Sequence, residues 1–574
     1  MPKMNISFSP PDISELEIQQ VTEAMRSGWI TTGPKTKLFE QKLAEYCGTP
    51  RCVCVNSATA AMELILRVLG VGPGDEVITS AYTYTASASI IDHVGAKIVF
   101  VDTAPDSFML DYDKLADAIT ERTKVVIPVD IGGVMADYDK VFAAVESRKH
   151  LYRPSTDLQR AFDRPVVLAD AAHSLGATYH WKMCGSVADF TSFSFHAVKN
   201  LTTAEGGAIT WLDHEGIDNV KLYQELQLLS LHGQNKDALS KMKLGSWEYD
   251  IVCTGYKCNM TDMTAGFGLA QLQRFPSLTA KRMKTIAKYD EVLLPLGIKR
   301  LDHNGEDYKG NGHLYLVRVP GISEAQRNEI IVKMSEQGIA CNVHFKPLPM
   351  MTAYKRLGFD VKDFPNAYAQ YRNEITLPTH TRLSDAEIEY VAHTLKSILT
   401  GNGNESFLES DCEVLRVWEN DDESIECIYK LFKDCGDQMF LDEGLLHWAD
   451  PLPISTIKAM CREQEVYVVK DRALGSTYAF FAYTDHPSQF FDVDKRCVYL
   501  ERIAVMPTMW RHGLGRMCMD MVEKYALVHR CSAIRTSVYD KSKGANAFFE
   551  SHGYVRLYTR PTKNFIVNCI EKTL

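Results

Sequence analysis

The sequence has no uninterrupted apolar run long enough to cross a bilayer. Its first residues, MPKMNISFSPPD, also lack the apolar core of a signal peptide. We therefore expect a cytoplasmic protein without a membrane partner. Positive charge is in deficit as well, with 63 Lys and Arg against 73 Asp and Glu and a net charge of −10. This balance argues against a nucleic-acid partner held through phosphate contacts.

Paired cysteines are missing too. The 15 cysteines are scattered without a C-x-x-C pair, which gives little support to a zinc site. In a cytoplasmic chain we expect them to be reduced thiols, most of them small core residues.

What is present is a globular composition on a long chain. The 574 residues are 45% hydrophobic and 24% charged, and at roughly 100–200 residues per domain they predict several domains. The polar stretch GNGNES at 401–406 is the best linker candidate. We therefore expect a first domain at 1–401, a linker at 402–411 and a second domain at 412–574.

Short apolar runs alternate with helical stretches between about residues 50 and 210. Runs that are apolar on both faces and separated by helices are typical of α/β proteins with a mostly parallel sheet. Before these runs, the pattern predicts a helix with Asp12 as its N-cap and Gly28 at its end. The predicted strands lie at 53–55, 76–78, 98–101, 125–127 and 166–168.

Three polar groups follow these elements in an order that indicates one site. Asp170 ends an apolar strand, where ligands gather in parallel sheets, and could meet a cationic ring nitrogen. Lys199 follows a later strand-like run and could form a Schiff base. Ser57 and Thr59 begin a helix whose free N–H groups suit a phosphate. Taken singly, each has an ordinary interpretation as a helix cap or a solvent-facing lysine.

The first domain resembles the DegT/DnrJ/EryC1/StrS group of sugar aminotransferases. This group has the fold type I of enzymes that use pyridoxal 5′-phosphate (PLP), with a large lobe and a small C-terminal lobe. The matching stretches are GWITTGP at 28–34, SAT at 57–59, GPGDEV at 72–77, DAAH at 170–173, SFH at 194–196 with Lys199, and GYKCNMTD at 255–262.

The resemblance implies that Lys199 binds PLP covalently and that Asp170 keeps its ring nitrogen protonated. It also implies that Tyr84 stacks on the ring and that His173 lies near the ring hydroxyl, where relatives often have Gln. The implied phosphate contacts are Ser57, Ala58, Thr59 and Ser194.

The resemblance has three further implications, which concern a second subunit, the residues His344 and Pro349, and the type of reaction. Lys257, where many relatives have Asn, would reach the neighbouring subunit's phosphate, so a homodimer with shared PLP sites is expected. His344 either faces the active site or has a structural role, and Pro349 stands where relatives commonly have His. Relatives with His in place of the lysine are sugar dehydratases. Lys199 therefore favours transamination of a nucleotide-linked keto-sugar, with glutamate as the expected donor.

The second domain contains a glycine turn between a strand and a helix. The run at 497–507 alternates as a strand, and WRHGLGR follows at 510–516. Such a turn can bind a pyrophosphate, although an ordinary strand–turn–helix shows the same pattern. The residues expected to share one face of the strand are Tyr499, Glu501, Ile503 and Val505.

With GANAFFESHGY at 544–554, this turn resembles the GNAT family of acetyl-CoA-dependent N-acetyltransferases, which implies an α+β domain over about 412–574. In that family the glycine loop binds the coenzyme A pyrophosphate, and the preceding strand pairs with the pantetheine arm. The implied coenzyme contacts are Ile503, Val505, Arg511, His512, Gly513, Leu514, Gly515, Arg516 and Asn546.

Two residues depart from the GNAT pattern. Trp510 replaces an Arg or Gln, and Phe549 replaces a tyrosine that acts as general acid in many members. A thiolate leaving group, with a reference pKa of about 8.5, can tolerate loss of that acid. Glu501 is the candidate general base, and the alternative for it is a salt-bridge partner.

The fusion predicts two consecutive steps, formation of an amino sugar followed by acetylation of its new amine. Two alternatives stay open for the second domain. It could acetylate an unrelated amine, or it could be a non-catalytic module that binds coenzyme A or supports the oligomer.

Overall fold

The structure is a computed structural model that describes residues 4–235, 248–400, 412–446, 448, 450–472, 475–510 and 513–574. The chain forms two compact units, Met1–Thr400 and Gly401–Leu574. The predicted linker at 402–411 lies outside the described residues. Among the described residues, no helix combines the length and hydropathy that a membrane span requires.

The first unit is built on a seven-stranded sheet in the order β1-β9-β8-β5-β4-β2-β3, in which only β9 runs against the others. The prediction of an α/β fold with a mostly parallel sheet is therefore confirmed. The strands of this sheet are β1 Cys52–Val55, β2 Glu76–Ser80, β3 Lys97–Val101, β4 Thr123–Ile127, β5 Val166–Asp170, β8 Phe190–Ser194 and β9 Gly207–Trp211.

Helices cover both faces of this sheet, and each face has its own apolar core. The strands are buried along nearly their full length, which explains their continuous apolar runs. The helices of the unit are α1 Glu15–Arg26, α2 Pro34–Cys47, α3 Ala58–Val68, α4 Ala86–His93, α5 Tyr112–Ala118, α6 Tyr138–Ser147, α7 Asp157–Ala161, α8 Asn219–Ser230, α9 Asp262–Leu293, α10 Glu324–Glu336, α11 Thr352–Arg356, α12 Pro365–Tyr371 and α13 Asp385–Thr400.

Two smaller sheets complete the first unit. One has the order β10-β12-β13 and packs against α10, and the other has the order β11-β6-β7. Their strands are β6 Thr178–Tyr179, β7 Lys182–Met183, β10 Lys299–Arg300, β11 Tyr308–Lys309, β12 Tyr315–Arg318 and β13 Glu374–Leu377.

The predicted cap of α1 is wrong. Ser14 caps this helix and forms a capping box with Glu17. The carboxylate of Asp12 instead receives hydrogen bonds from Arg274 in α9 (2.6 Å) and Thr381 (2.7 Å). A tertiary partnership therefore replaces the local role that the sequence favoured.

The motifs at 28–34 and 255–262 meet in one tertiary cap. Asp262, buried at the start of α9, receives the N–H groups of Gly33 (2.7 Å), Lys35 (3.0 Å) and Thr36 (2.9 Å), and also the Thr36 hydroxyl (2.7 Å). These N–H groups belong to the start of α2, which has no side-chain cap of its own. The carboxylate thus stabilises the free end of a helix that is distant in sequence.

The second unit is a seven-stranded sheet in the order β14-β15-β16-β17-β18-β20-β19 with four described helices. The elements are β14 Cys412–Arg416, α14 Asp422–Glu443, α15 Ile454–Glu463, β15 Glu465–Asp471, β16 Thr477–Thr484, β17 Cys497–Val505, α16 Leu514–Val528, β18 Ala533–Tyr539, α17 Lys543–Ser551, β19 Val555–Pro561 and β20 Ile566–Thr573.

The two central strands of this sheet separate part-way along their length. β17 and β18 are parallel and pair only through residues 497–499 of β17, although that strand continues to Val505. The edge of β17 beyond Tyr499 therefore has no partner strand on that side among the described residues. A separation of this kind leaves backbone amide groups available to a ligand.

One prediction about β17 is wrong, namely the common face of Tyr499, Glu501, Ile503 and Val505. Consecutive residues of β16 pair with Leu500 and Arg502, so Glu501 is the extra residue of a β-bulge. The bulge inverts the alternation of faces. Tyr499 packs in the cluster of Phe491 on one face, whereas Ile503 and Val505 pack with Leu500 on the other.

We predict that Asp262→Asn destabilises the first unit by about 1.5–3 kcal/mol, because one oxygen that accepts N–H donors becomes an amide donor. Calorimetry of the full chain should show a lower transition temperature for this unit. The control is Asp385→Asn, whose side chain is 58% exposed at the start of α13 and should change stability by less than about 1 kcal/mol. Equal effects of the two substitutions would contradict the tertiary cap.

Candidate active sites

The carboxylate of Asp170 lies at the carboxyl end of β5 and is buried. The Ser87 hydroxyl donates to one of its oxygens (2.6 Å), and the Ala172 N–H donates to the other (3.2 Å). Burial raises the pKa of Asp170, while the Ser87 and Ala172 hydrogen bonds and the charge of Lys199 lower it. A cationic partner at this position would offset the cost of burying the ionised acid.

Lys199 lies in the turn between β8 and β9, and its N–H donates to the His196 carbonyl (2.9 Å). The side chain is half-buried instead of solvent-facing. Burial lowers the pKa of Lys199 to about 8, and the nearby Asp170 carboxylate opposes this shift. A substantial fraction of the amine is therefore neutral near physiological pH, as a nucleophile or proton carrier requires.

The start of α3 forms a cradle for an anion. Ser57 caps this helix by accepting from the Ala60 N–H (3.1 Å), so it has the ordinary capping role. Among the described residues, no acceptor is found for the N–H groups of Ala58 and Thr59. A Cβ at Gly207 of β9 would lie 2.4 Å from the Ser57 carbonyl carbon. Glycine therefore allows the sheet to approach the cradle closely.

Ser194, at the end of β8, is partly exposed beside this region, and its hydroxyl accepts from the His196 N–H (3.4 Å). Lys257 is exposed, and its amine donates to the Asn259 side chain. The Asn56 N–H donates to the Cys258 carbonyl (2.8 Å), so the Lys257 segment borders the start of α3 in the same chain. These contacts lie within one chain. The expected contact of Lys257 with the phosphate of a second subunit therefore stays a prediction.

His173 is held by the Gly132 N–H, which donates to its Nδ1 atom (3.2 Å) and so leaves the proton of the neutral ring on Nε2. Burial lowers the pKa of His173 well below its usual value, and the charge of Lys199 adds to this effect. Tyr84 is 62% exposed and lies with its ring centroid 6.1 Å from that of Phe345. Its face is thus available for stacking.

Sequence reasoning missed three residues of this cluster. Ser87 donates to Asp170 from α4. His313 and Phe345 pack against His173, with ring centroids at 4.5 Å and 5.9 Å. None has a signal of its own in the sequence, because the contacts depend on turns and strands that are distant along the chain.

These residues fit PLP. The cradle at α3 offers N–H and hydroxyl donors to a phosphate, Asp170 offers a buried acid to the ring nitrogen, and Lys199 offers a partly neutral amine to the aldehyde. The exposed ring of Tyr84 could cover one face of the cofactor.

In the second unit, the glycine turn leads into α16. Gly513 has a φ of 83° and precedes the first helical residue, Leu514. A Cβ at Gly515 would lie 2.9 Å from the ring of Phe548 in α17, so a larger side chain there would force this ring to move. Arg516 is exposed and follows in the first turn. The predicted contacts Arg511 and His512 lie outside the described residues.

The backbone of β17 presents its open edge at Ile503 and Val505. The Met506 N–H donates to the Tyr478 carbonyl (2.8 Å) in β16, which directs the amide groups of Ile503 and Val505 toward the opposite edge. The Val505 carbonyl already accepts from the Trp510 indole (2.6 Å) and the Cys435 thiol (3.2 Å). Trp510 therefore closes one end of this edge.

Asn546 has a structural function in the described contacts. Its amide nitrogen donates to the carbonyls of Tyr539 (2.9 Å) and Ser542 (2.6 Å), and its oxygen accepts from Asn568 (2.9 Å). The side chain thus ties α17 to β18 and β20. The expected contact of Asn546 with the coenzyme stays a prediction that these bonds do not favour.

Glu501 is half-buried at the bulge, and burial raises its pKa, while the nearby Arg502 lowers it. Within the described part of the chain, no cation lies within ion-pair distance of its carboxylate. The general-base role of Glu501 and its salt-bridge alternative both stay predictions. Phe549 is buried and packs edge-on against Tyr554, with ring centroids 5.2 Å apart.

Two family models match this chain. The model of the DegT/DnrJ/EryC1/StrS aminotransferase family matches residues 11–396, and that of the acetyltransferase (GNAT) family matches residues 426–554. Spr1654 of Streptococcus pneumoniae, designated a sugar aminotransferase, is 56% identical in its PMP form with a TM-score of 0.67, over 69% of this chain and 99% of that chain.

Two named relatives also match the first unit. The spore coat polysaccharide biosynthesis protein SpsC of Bacillus subtilis is 37% identical over 405 residues, covering 69% of this chain and 97% of that protein. The UDP-4-amino-4-deoxy-L-arabinose–oxoglutarate aminotransferase of Shewanella sediminis is 34% identical over 407 residues, covering 69% and 99%.

We predict that Lys199 in the cofactor-free protein reacts with amine reagents at a rate that is half-maximal at about pH 8, against about 10.4 for an ordinary lysine. Mass spectrometry of the modified peptides measures this rate across pH. In Asp170→Asn the midpoint should fall further, because the carboxylate that favours the ammonium form is lost. A Lys199 midpoint equal to that of solvent-exposed lysine peptides would contradict the assignment.

Proposed function

The chain belongs to the DegT/DnrJ/EryC1/StrS aminotransferase family, and we propose that it makes and then acetylates a nucleotide-linked amino sugar. The first unit would transfer an amino group from glutamate to a keto-sugar nucleotide. The second unit, which carries a GNAT domain, would acetylate the new amine. PLP is the cofactor of the first family, and acetyl-CoA is the cosubstrate of the second.

The observation that carries the first step is the mutual electrostatic effect of Lys199 and Asp170 beside the cradle of α3. When bound, PLP supplies an aldehyde and an electron sink. Asp170 would hold a proton on the cofactor's ring nitrogen, and Ser57, Ala58, Thr59 and Ser194 would bind its phosphate. The Lys199 amine, partly neutral, would move the proton at the substrate carbon.

Two named relatives support the substrates. The name of one includes UDP-4-amino-4-deoxy-L-arabinose and oxoglutarate. Oxoglutarate is the product that forms when glutamate donates its amino group. SpsC is named for polysaccharide biosynthesis. We also propose a homodimer, in which the exposed Lys257 would donate to the phosphate bound by the partner subunit.

For the second step, we propose that the acceptor amine lies beside the open edge of β17. Glu501 would accept a proton from the amine, the amine nitrogen would form a bond to the acetyl carbon, and the carbon–sulfur bond would break to release the thiolate. Its raised pKa makes Glu501 a stronger base than an exposed carboxylate. The turn at Gly513 and Gly515 would bind the pyrophosphate of the coenzyme. We also propose that the two domains extend over residues 1–401 and 412–574.

Incubation of the full chain with a keto-sugar nucleotide, glutamate, PLP and acetyl-CoA should yield the N-acetylated amino sugar, measured by chromatography and mass spectrometry. Lys199→Ala should lower amine formation by about 10²–10⁴-fold, the usual contribution of a positioned proton carrier. Gly515→Val should let the free amine accumulate, because a side chain there collides with Phe548.

The matched control for the glycine turn is Gly544→Val in α17, where a Cβ has only the end of the Glu443 side chain nearby, at 3.2 Å. It should retain acetylation. Accumulation of free amine in the unsubstituted protein would contradict the coupled function. Acetyl-CoA turnover on other amines would then favour an unrelated acceptor, and no turnover would favour a binding module.

A further inference from the structure

In the first unit, hydrogen bonds hold His344 at its carbonyl, its N–H and one nitrogen of its ring. The Tyr82 hydroxyl donates to its carbonyl (2.8 Å), and its N–H donates to Glu374 (2.9 Å). Its ring Nδ1 lies 2.9 Å from the Thr376 hydroxyl, and Phe8 stacks on the ring at 5.7 Å. Within the described part of the chain, the Nε2 atom has no hydrogen-bond partner.

The ring of His344 lies beside residues of the candidate PLP site. Burial lowers the pKa of His344 to about 3, and the charge of Lys199 adds to this effect, so the ring is neutral and lies within electrostatic range of the reacting amine. It also makes an edge contact with Phe345, which packs against His173. A neutral imidazole donates from one nitrogen and accepts at the other. The nitrogen that carries the proton therefore determines what Nε2 offers to a substrate.

Two buried residues of β13 stand behind this ring. The Thr376 hydroxyl lies 2.5 Å from one oxygen of Glu374, and the other oxygen accepts the His344 N–H. Glu374 and Thr376 are both fully buried. The imidazole ring, the hydroxyl and the carboxyl thus form a chain of hydrogen bonds. In this chain, the donor at one hydrogen bond determines the donor at the next.

The charge of Glu374 determines which group donates and which accepts at each hydrogen bond of this chain. An ionised Glu374 accepts from the Thr376 hydroxyl, which must then accept from His344 Nδ1–H, and Nε2 is left as an acceptor. A protonated Glu374 keeps accepting the His344 N–H at one oxygen and so carries its proton on the other. That proton points to Thr376, the hydroxyl turns to Nδ1, and Nε2 carries the ring proton.

We propose that Glu374 and Thr376 are positioning residues that select the tautomer of His344, making Nε2 an acceptor when Glu374 is ionised and a donor when it is protonated. The donor form suits a substrate carbonyl or carboxylate oxygen, and the acceptor form suits a hydroxyl or an amine. This inference rests on the assignment of the Lys199 site under the proposed function.

The surroundings of Glu374 place its titration in a useful range. Burial raises the pKa of Glu374 to about 8, against the lowering effects of the Thr376 and His344 hydrogen bonds and of Arg327. Arg327 donates to the Glu374 backbone carbonyl (2.9 Å). Arg318 lies opposite Glu374 on the neighbouring strand β12. Tyr82 and Cys341 also interact with this carboxyl, and burial raises the pKa values of both. Both are therefore neutral around the titration of Glu374.

The test is nitrogen-15 NMR of the full chain, loaded with PLP and labelled at histidine, with the His344 signals assigned by loss in His344→Gln. Between about pH 6.5 and about pH 9.5, on either side of the Glu374 pKa, the proton should move from Nε2 to Nδ1. In Glu374→Gln it should stay on Nε2 at both pH values. The glutamine carbonyl can accept the His344 N–H, and its amide can donate to Thr376.

Thr376→Val and Thr376→Ser form the matched pair if Glu374→Gln does not fold. The valine variant should lose the pH response of His344, and the serine variant should retain it. An unchanged tautomer in the wild-type protein across this range, or a response that persists in Thr376→Val, would overturn the inference. The NMR signal does not depend on turnover, so a failed aminotransferase assay would be distinguishable from a failed tautomer switch.

Discussion

The candidate site of the first unit is organised by one electrostatic relation, that between the amine of half-buried Lys199 and the buried carboxylate of Asp170. Burial alone favours the neutral form of each group, and each group's charge partly restores the charged form of the other. The parallel sheet makes this relation possible, because the carboxyl ends of β5 and β8 meet at one edge. The cradle of α3, the Ser87 hydroxyl and the neutral histidines are arranged around that edge.

The second unit is organised by a backbone constraint. β17 and β18 separate after residue 499, so within the part of the chain that the structure describes the later part of β17 has no partner strand on one side. The β-bulge at Glu501 lies at the start of this open stretch and redirects the residues that follow it. Sheet separation, bulge and glycine turn therefore occur within a few residues of one another, which gives this segment both an open edge and the start of a helix.

Local patterns were enough to predict several elements and parts of the site. The apolar runs predicted strands close to the observed bounds of β1 to β5. Strands β1, β2, β4 and β5 are buried on both faces, and the edge strand β3 is apolar from Ile98 to Val101. Asp170 and Ser57 were predictable for a similar reason, since each follows directly from the end or start of a regular element. Asp12 shows the limit of such patterns. It has the chemistry of a cap, yet it binds Arg274 and Thr381, and Ser14 caps the helix.

The sequence by itself determined the fold class, the order of acid and lysine, and the presence of a glycine turn in a second unit. These features depend on residue types and spacings that act over a few positions. Only the tertiary structure decided which distant groups complete the sites. Ser87 at Asp170, Thr376 and Glu374 behind His344, Asp262 at the start of α2 and the bulge that inverts β17 all arise from strand register and packing between segments far apart in the chain. Hydrogen bonds and pKa shifts depend on burial and on distances of a few ångströms, which the packed chain alone sets.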